Sequence, residues 1–156
     1  MLRIVSGAQT GVDRGALDAA LDCEVSCGGW CPKGRKAEDG TIPMVYPVQE
    51  IGSPEYNART LRNVIDSNGT VIIYFGYLSG GTERTLEYCL KENRPYLLLD
   101  AIEVSPDRAG ERIAEFVSNL DGETINVAGP RSSTVPQAQN YAKNAITSFI
   151  RKYTRK

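Results

Sequence analysis

The sequence predicts a single Rossmann-like α/β domain with an open, doubly wound, mostly parallel sheet of about five strands and helices on both faces. Three observations carry this. Short apolar runs alternate with stretches of helical periodicity along the chain. The run Val71-Ile72-Ile73-Tyr74-Phe75 is apolar without alternation, as expected of a parallel strand buried on both faces. Gly-rich segments follow three of the runs, and ligands of such sheets collect beyond the carboxyl ends of the strands. With 156 residues, 41% of them hydrophobic, residues 1–156 suit one domain with a packed core.

The elements follow in order. Residues 2–5 read as a short buried strand, and 12–21 as a helix with Ala16, Leu17, Ala20 and Leu21 on one face. Val25 opens a second strand. Residues 28–47, rich in Gly, Pro and charge, read as a long loop of the kind that is functional or disordered. A helix over 55–66 turns Leu61, Val64 and Ile65 inward. Strands at 70–75, 96–99 and 124–127 alternate with helices at 82–93, 107–119 and 136–153.

Composition excludes several function classes. Lys+Arg is 18 and Asp+Glu 19, a net charge of −1, which gives no surface for nucleic acid or membrane. No apolar run approaches the roughly 20 residues that span a bilayer. The N-terminus lacks the layout of a signal peptide, so the cytoplasm is the expected location. There is no histidine, which removes Ser-His-Asp and Cys-His catalysis and every His-ligated metal site. Cys23, Cys27 and Cys31 are spaced as metal ligands sometimes are, but a second pair is missing and Cys89 stands alone. They read as small buried hydrophobes, and no metal is expected.

Four segments carry candidate binding residues. In the first, Gly7, Gln9, Thr10, Gly11, Asp13 and Arg14 lead into a helix, whose N-terminal amides and dipole suit an anion. The motif is neither GxxxxGK[ST] nor GxGxxG. Cys27 and Gly28 stand where a ribose-binding acid would, which disfavours dinucleotides. Close packing of helix on sheet is the alternative role for Gly11 and Gly15. In the second segment Gly80 and Gly81 precede Thr82, read as an N-cap, with Glu83 and Glu87 one turn apart. An ordinary capped helix is the alternative. The third joins Trp30, Cys31, Lys33, Gly34 and Arg35 in one loop, with Trp30 to stack on a flat ligand and Lys33 or Arg35 to meet a phosphate. Its alternative is a surface loop with Trp30 plugged into the core. In the fourth, Arg131 with Ser132 and Ser133 closes the site or forms a simple turn.

Taken together, residues 6–21, Gly-Trp-Cys-Pro-Lys-Gly-Arg-Lys-Ala-Glu-Asp-Gly at 29–40, residues 80–85 and Asn126-Val127-Ala128-Gly129-Pro130-Arg131 resemble the putative molybdenum carrier family. The resemblance runs along nearly the whole chain. It implies a Rossmann-like domain of the group shared with lysine-decarboxylase-like phosphoribohydrolases, and often a homo-oligomer. It also implies binding of molybdenum cofactor, a molybdopterin with a terminal phosphate, with a molybdoenzyme as recipient. Ala8 stands where many relatives carry Gly, so the first loop is expected to differ in backbone, since Ala resists positive φ. The phosphoribohydrolase motif Pro-Gly-Gly-x-Gly-Thr-x-x-Glu is matched only at Gly80, Gly81 and Glu87. The leading expectation is therefore a carrier of an anionic small molecule with no catalytic residue. The alternatives are an enzyme cleaving an N-glycosidic bond of a nucleotide, with Glu87 at its centre, and a nucleotide sensor.

Overall fold

The computed structural model describes residues 1–155. The chain runs β1 (Arg3–Val5), α1 (Val12–Asp22), β2 (Ser26–Gly28), then β3 (Trp30–Cys31), β4 (Lys36–Ala37), β5 (Gly40–Thr41) and β6 (Gln49–Glu50). It continues through α2 (Tyr56–Ile65), β7 (Gly69–Tyr74), α3 (Gly80–Lys91), β8 (Tyr96–Asp100), α4 (Pro106–Ser118), β9 (Thr124–Ala128) and α5 (Ala138–Thr154). Five strands form a parallel sheet in the order β2-β1-β9-β7-β8. No helix among the described residues is long and apolar enough to cross a membrane.

Right-handed crossovers decide where the helices lie. The steps β1 to β2 and β8 to β9 run one way across the sheet and place α1 and α4 on one face. Steps β2 to β7 and β7 to β8 run the other way and place α2 and α3 on the opposite face. The strand pleat sorts the core accordingly. Val71 and Ile73 face α1, α4 and α5 in a cluster centred on Ile113, Ile146 and Phe149. Ile72 faces the other way, toward Val64 of α2 and Cys89 of α3. Adjacent strands β9 and β7 thus send the chain to opposite faces, to α5 and α3. Their carboxyl ends part, and a crevice opens between them.

Two expectations need correction. Residues 28–47 are not an open loop. β3 pairs with β6 in parallel, β4 and β5 form a small hairpin, and Cys31, Ala37, Ile42, Tyr46 and Val48 build a second core over Ala8 and Leu17. The Arg35 guanidinium holds this segment from within. It donates to the carbonyls of Pro43 (2.8 Å), Tyr46 (3.0 Å), Ile42 (3.1 Å) and Val48 (3.1 Å). Two-residue strands carry no periodicity to read, and a side chain satisfies carbonyls that a sheet would otherwise pair. The second correction concerns α2. Val64 is buried and Leu61 half-buried, but Ile65 is 39% exposed. The helix instead buries Thr60 and Asn63. Asn63 brackets the Trp30 backbone, accepting from its N–H at 2.8 Å and donating to its carbonyl at 3.0 Å. A polar side chain acts here as a strand's neighbour, and so belongs on the inward face.

Ala8 also departs from expectation. It adopts φ 58 despite its Cβ. Ser6 Oγ accepts its N–H (3.2 Å) and Arg14 Nε donates to its carbonyl (2.9 Å), offsetting a cost of roughly 1–2 kcal/mol for the left-handed conformation.

Candidate functional site

The crevice is a cavity of about 430 Å³, within the range of small-molecule sites. Tyr74 and Phe75 from the end of β7 and Ala128 and Gly129 from the end of β9 form its base, and the first turns of α2 and α3 flank it. Gln9, Asp13 and Arg131 complete the wall.

Its inner wall holds a buried ion pair. Arg59 and Asp13 meet at 3.3 Å with side chains only 13% and 5% exposed. The Gln9 N–H donates to the same carboxylate oxygen at 3.3 Å. Burial pushes the Asp13 carboxyl up, opposed by the Arg59 cation and the Gln9 amide, and burial pushes Arg59 down, opposed by Asp13. Gly7 makes the arrangement possible, because a Cβ there would lie 2.0 Å from the Arg59 guanidinium. Gly7→Val is therefore expected to push Arg59 off Asp13 and to cost about 1–3 kcal/mol, read by denaturant unfolding. Two polar atoms on this wall, Gln9 Oε1 and Arg59 Nε, are buried without a hydrogen-bond partner among the described residues.

Across the cavity Arg131 stacks on Tyr56, its guanidinium carbon 4.4 Å from the ring centroid, and makes no ion pair among the described residues. Helix α3 begins at Gly80 and is capped by Ser79, three residues before the expected Thr82 cap, and the Ser79 side chain takes none of its amides. A Cβ at Gly81 would meet nothing within 4 Å. Packing therefore does not ask for glycine at this position, whereas close approach of a ligand to the helix amides does.

The hairpin of the second core is latched to the rim. Glu38 accepts from Thr10 Oγ1 and from Ser133 Oγ (2.5 Å), and Asp39 accepts both arms of Arg14 at 2.6 and 2.8 Å. The hydroxyls of Ser133 and Thr10 hold the Glu38 carboxyl below its usual value, and Arg14 does the same for Asp39. Lowered folded-state values stabilise above the ordinary carboxylate range and lose that contribution as pH falls through them. Asp13, raised by burial, slopes the other way. The wild type should therefore lose more stability from pH 7 to pH 3 than Glu38→Gln/Asp39→Asn does. Thermal melts across that range check this, and parallel curves would refute it.

The candidate residues separate into two groups. Gln9, Asp13, Gly80, Gly81, Thr82 and Arg131 line the cavity. Gly7 backs Arg59; Gly11 lies against the Pro130 and Arg131 backbone; Thr10 and Arg14 hold the latch. Trp30 lies outside both cavity and core, its ring 4.5 Å from the Arg62 guanidinium and its indole N–H donating to Asp66 at 2.8 Å. Cys31 is fully buried, and burial pushes its thiol up. Lys33 is exposed, Gly34 donates its N–H to Glu50, and Arg35 is spent on carbonyls. Glu87 is exposed and off the cavity wall. Among the described residues no group of three or more Cys, Asp or Glu comes together as a metal site. The residues missed from the sequence are Arg59, Tyr56 and Thr60 of α2. Their signal was a polar stripe, Tyr56-Arg59-Thr60-Asn63, at helical spacing.

A parallel doubly wound sheet with a cavity at the point where strand order reverses defines a Rossmann-like α/β domain, a fold class whose ligands collect at that point. The chain belongs to the circularly permutated YpsA SLOG family, whose model matches residues 4–150. It is similar to the crystal structure of a putative molybdenum carrier protein from Syntrophus aciditrophicus SB, at 37% identity and a TM-score of 0.92, over 96% of this chain and 95% of that one. Both findings support the resemblance to the putative molybdenum carrier family read from the motifs. No curated protein matches.

Proposed function

We propose that the chain binds and carries molybdenum cofactor, a phosphate-bearing pterin, without altering it. The observation that carries this reading is the pairing of the open α3 N-terminus at Gly80 and Gly81 with Arg131, a cation without a carboxylate partner among the described residues, on one cavity. The terminal phosphate sits on the helix amides, where the dipole favours negative charge, and Arg131 supplies charge-assisted hydrogen bonds. The pterin lies toward Arg59 and Gln9. The name of the Syntrophus relative adds support. Glu87, the carboxylate that N-glycosidic cleavage would use, lies outside the cavity. One observation favours an enzyme instead: Asp13 places a buried carboxylate on the wall.

The test is to mix the protein with isolated cofactor, and in parallel with AMP. Pterin fluorescence coeluting with the protein on gel filtration, near one per chain, is the expected result. Release of adenine from AMP without retained pterin would overturn the carrier in favour of hydrolysis.

A further inference from the structure

We infer that Glu38 is a positioning residue for the phosphate seat: it meets no ligand itself, and fixes the turn from which Arg131 reaches the cavity. This rests on the reading of Arg131 and the α3 N-terminus as that seat, and adds what holds the seat in shape.

Arg131 opens the turn that follows β9. Its carbonyl accepts from the N–H groups of Thr134 (3.1 Å) and Val135 (2.9 Å), which closes the turn behind it. The two amides between are bonded outside the turn. Ser132 N–H donates to Thr10 Oγ1 at 3.2 Å, and Ser133 N–H donates to Glu38 Oε2 at 3.3 Å. Ser133 Oγ donates to Glu38 Oε1 at 2.5 Å, and Thr10 Oγ1 donates to Glu38 Oε2. Both carboxylate oxygens are therefore engaged. Each amide is anchored on Glu38, either directly or through Thr10.

Glu38 is held by contacts of its own hairpin. Ala37 before it is buried in the second core, and Asp39 after it takes both arms of Arg14. The Lys36 carbonyl accepts from Gln9 Nε2 at 3.1 Å. The carboxylate is thus presented to the turn from a fixed support. Arg131 has less to hold it. Its guanidinium stacks on Tyr56 and makes no ion pair among the described residues. Its place over the cavity therefore depends on the backbone of the turn. A side chain that a ligand must also immobilise weakens binding.

Glu38 and Ser133 lie off the cavity wall, so both act on an anion through Arg131. The carboxylate then has two effects of opposite sign. Its charge, close enough for Arg131 to help lower its pKa after the Ser133 and Thr10 hydroxyls, opposes an anion through space. Its anchoring of the turn favours one. The sign of the change on neutralising Glu38 says which effect dominates, and the inference requires the second.

The test is a phosphorus NMR titration of inorganic phosphate with the full chain, at a temperature where circular dichroism shows each variant folded. Glu38→Gln and Ser133→Ala are each expected to weaken binding by about 3- to 10-fold, the scale of ordering one long side chain. Ser133→Thr, which keeps the hydroxyl, is expected to bind like the wild type. In an Arg131→Ala background Glu38→Gln is expected to change nothing further, an outcome that a general loosening of the fold would not give. If Glu38→Gln does not fold, Ser133→Ala decides, since Ser133 is exposed. Unchanged or tighter binding by Glu38→Gln, or an equal loss without Arg131, overturns the inference and leaves the seat standing. A wild type that binds no phosphate overturns the seat and the inference together.

Discussion

Arg59→Ala is expected to destabilise the fold by about 3–5 kcal/mol at pH 7, because it leaves Asp13 buried without its cation. For a domain of this size that lowers Tm by roughly 10 °C. The pH dependence identifies the cause. Burial already raises Asp13, and loss of Arg59 raises it further. A raised carboxyl penalises the fold where the unfolded chain is ionised, and the penalty fades as pH falls through the ordinary carboxylate value. The stability gap between variant and wild type should therefore narrow from pH 7 to pH 4. Asp13→Asn/Arg59→Met, which removes both charges, should recover most of the loss. Urea unfolding at the two pH values measures all three. A loss below about 1 kcal/mol at pH 7, or a gap independent of pH, would refute the buried pair.

Arg131→Ala is expected to weaken binding of the phosphate-bearing ligand by about 10- to 100-fold, the loss of a charge-assisted contact. Its effect on stability should stay within about 0.5 kcal/mol, since the residue is half-buried and makes no ion pair among the described residues. Gly81→Val should lose binding in the same way while the chain still folds, because the added side chain enters open space at the α3 N-terminus. Arg35→Ala provides the contrast. It removes a guanidinium donating to four carbonyls of the second core, so stability should fall while phosphate binding by the remaining folded protein is retained. Calorimetry with inorganic phosphate and thermal melts separate these cases. An Arg35→Ala variant that folds normally and loses binding would move the seat to the 29–51 segment and refute the assignment to Arg131.

Much of the architecture was legible in the sequence because burial leaves a period. The apolar run at β7 and the helical spacing of α1, α4 and α5 each record a local relation between side chain and backbone. Gly80, Gly81 and Arg131 were legible for a related reason. Topology alone carries the loops after β7 and β9 to one edge. Trp30 and Arg35 misled for the opposite reason. Their chemistry suits a ligand, but a cation and an indole serve equally well to tie a compact segment together. Arg62, Asp66 and four backbone carbonyls take what a phosphate or ring was expected to take. Arg59 escaped notice because nothing local marks it. Its partner Asp13 lies 46 positions away, on an element of the opposite face.

By itself, then, the sequence determined the class of fold, the edge of the sheet where the cavity opens, and the α3 N-terminus and Arg131 that line it. Tertiary structure alone decided which charged groups are spent within the chain and which are left over. It paired Asp13 with Arg59, turned Glu87 outward, latched Thr10 and Arg14 to Glu38 and Asp39, and left Gln9 Oε1 and Arg59 Nε without partners among the described residues. The physical reason is that hydrophobic burial is written in local periodicity, whereas a polar group acquires its role from the partner it meets across the fold.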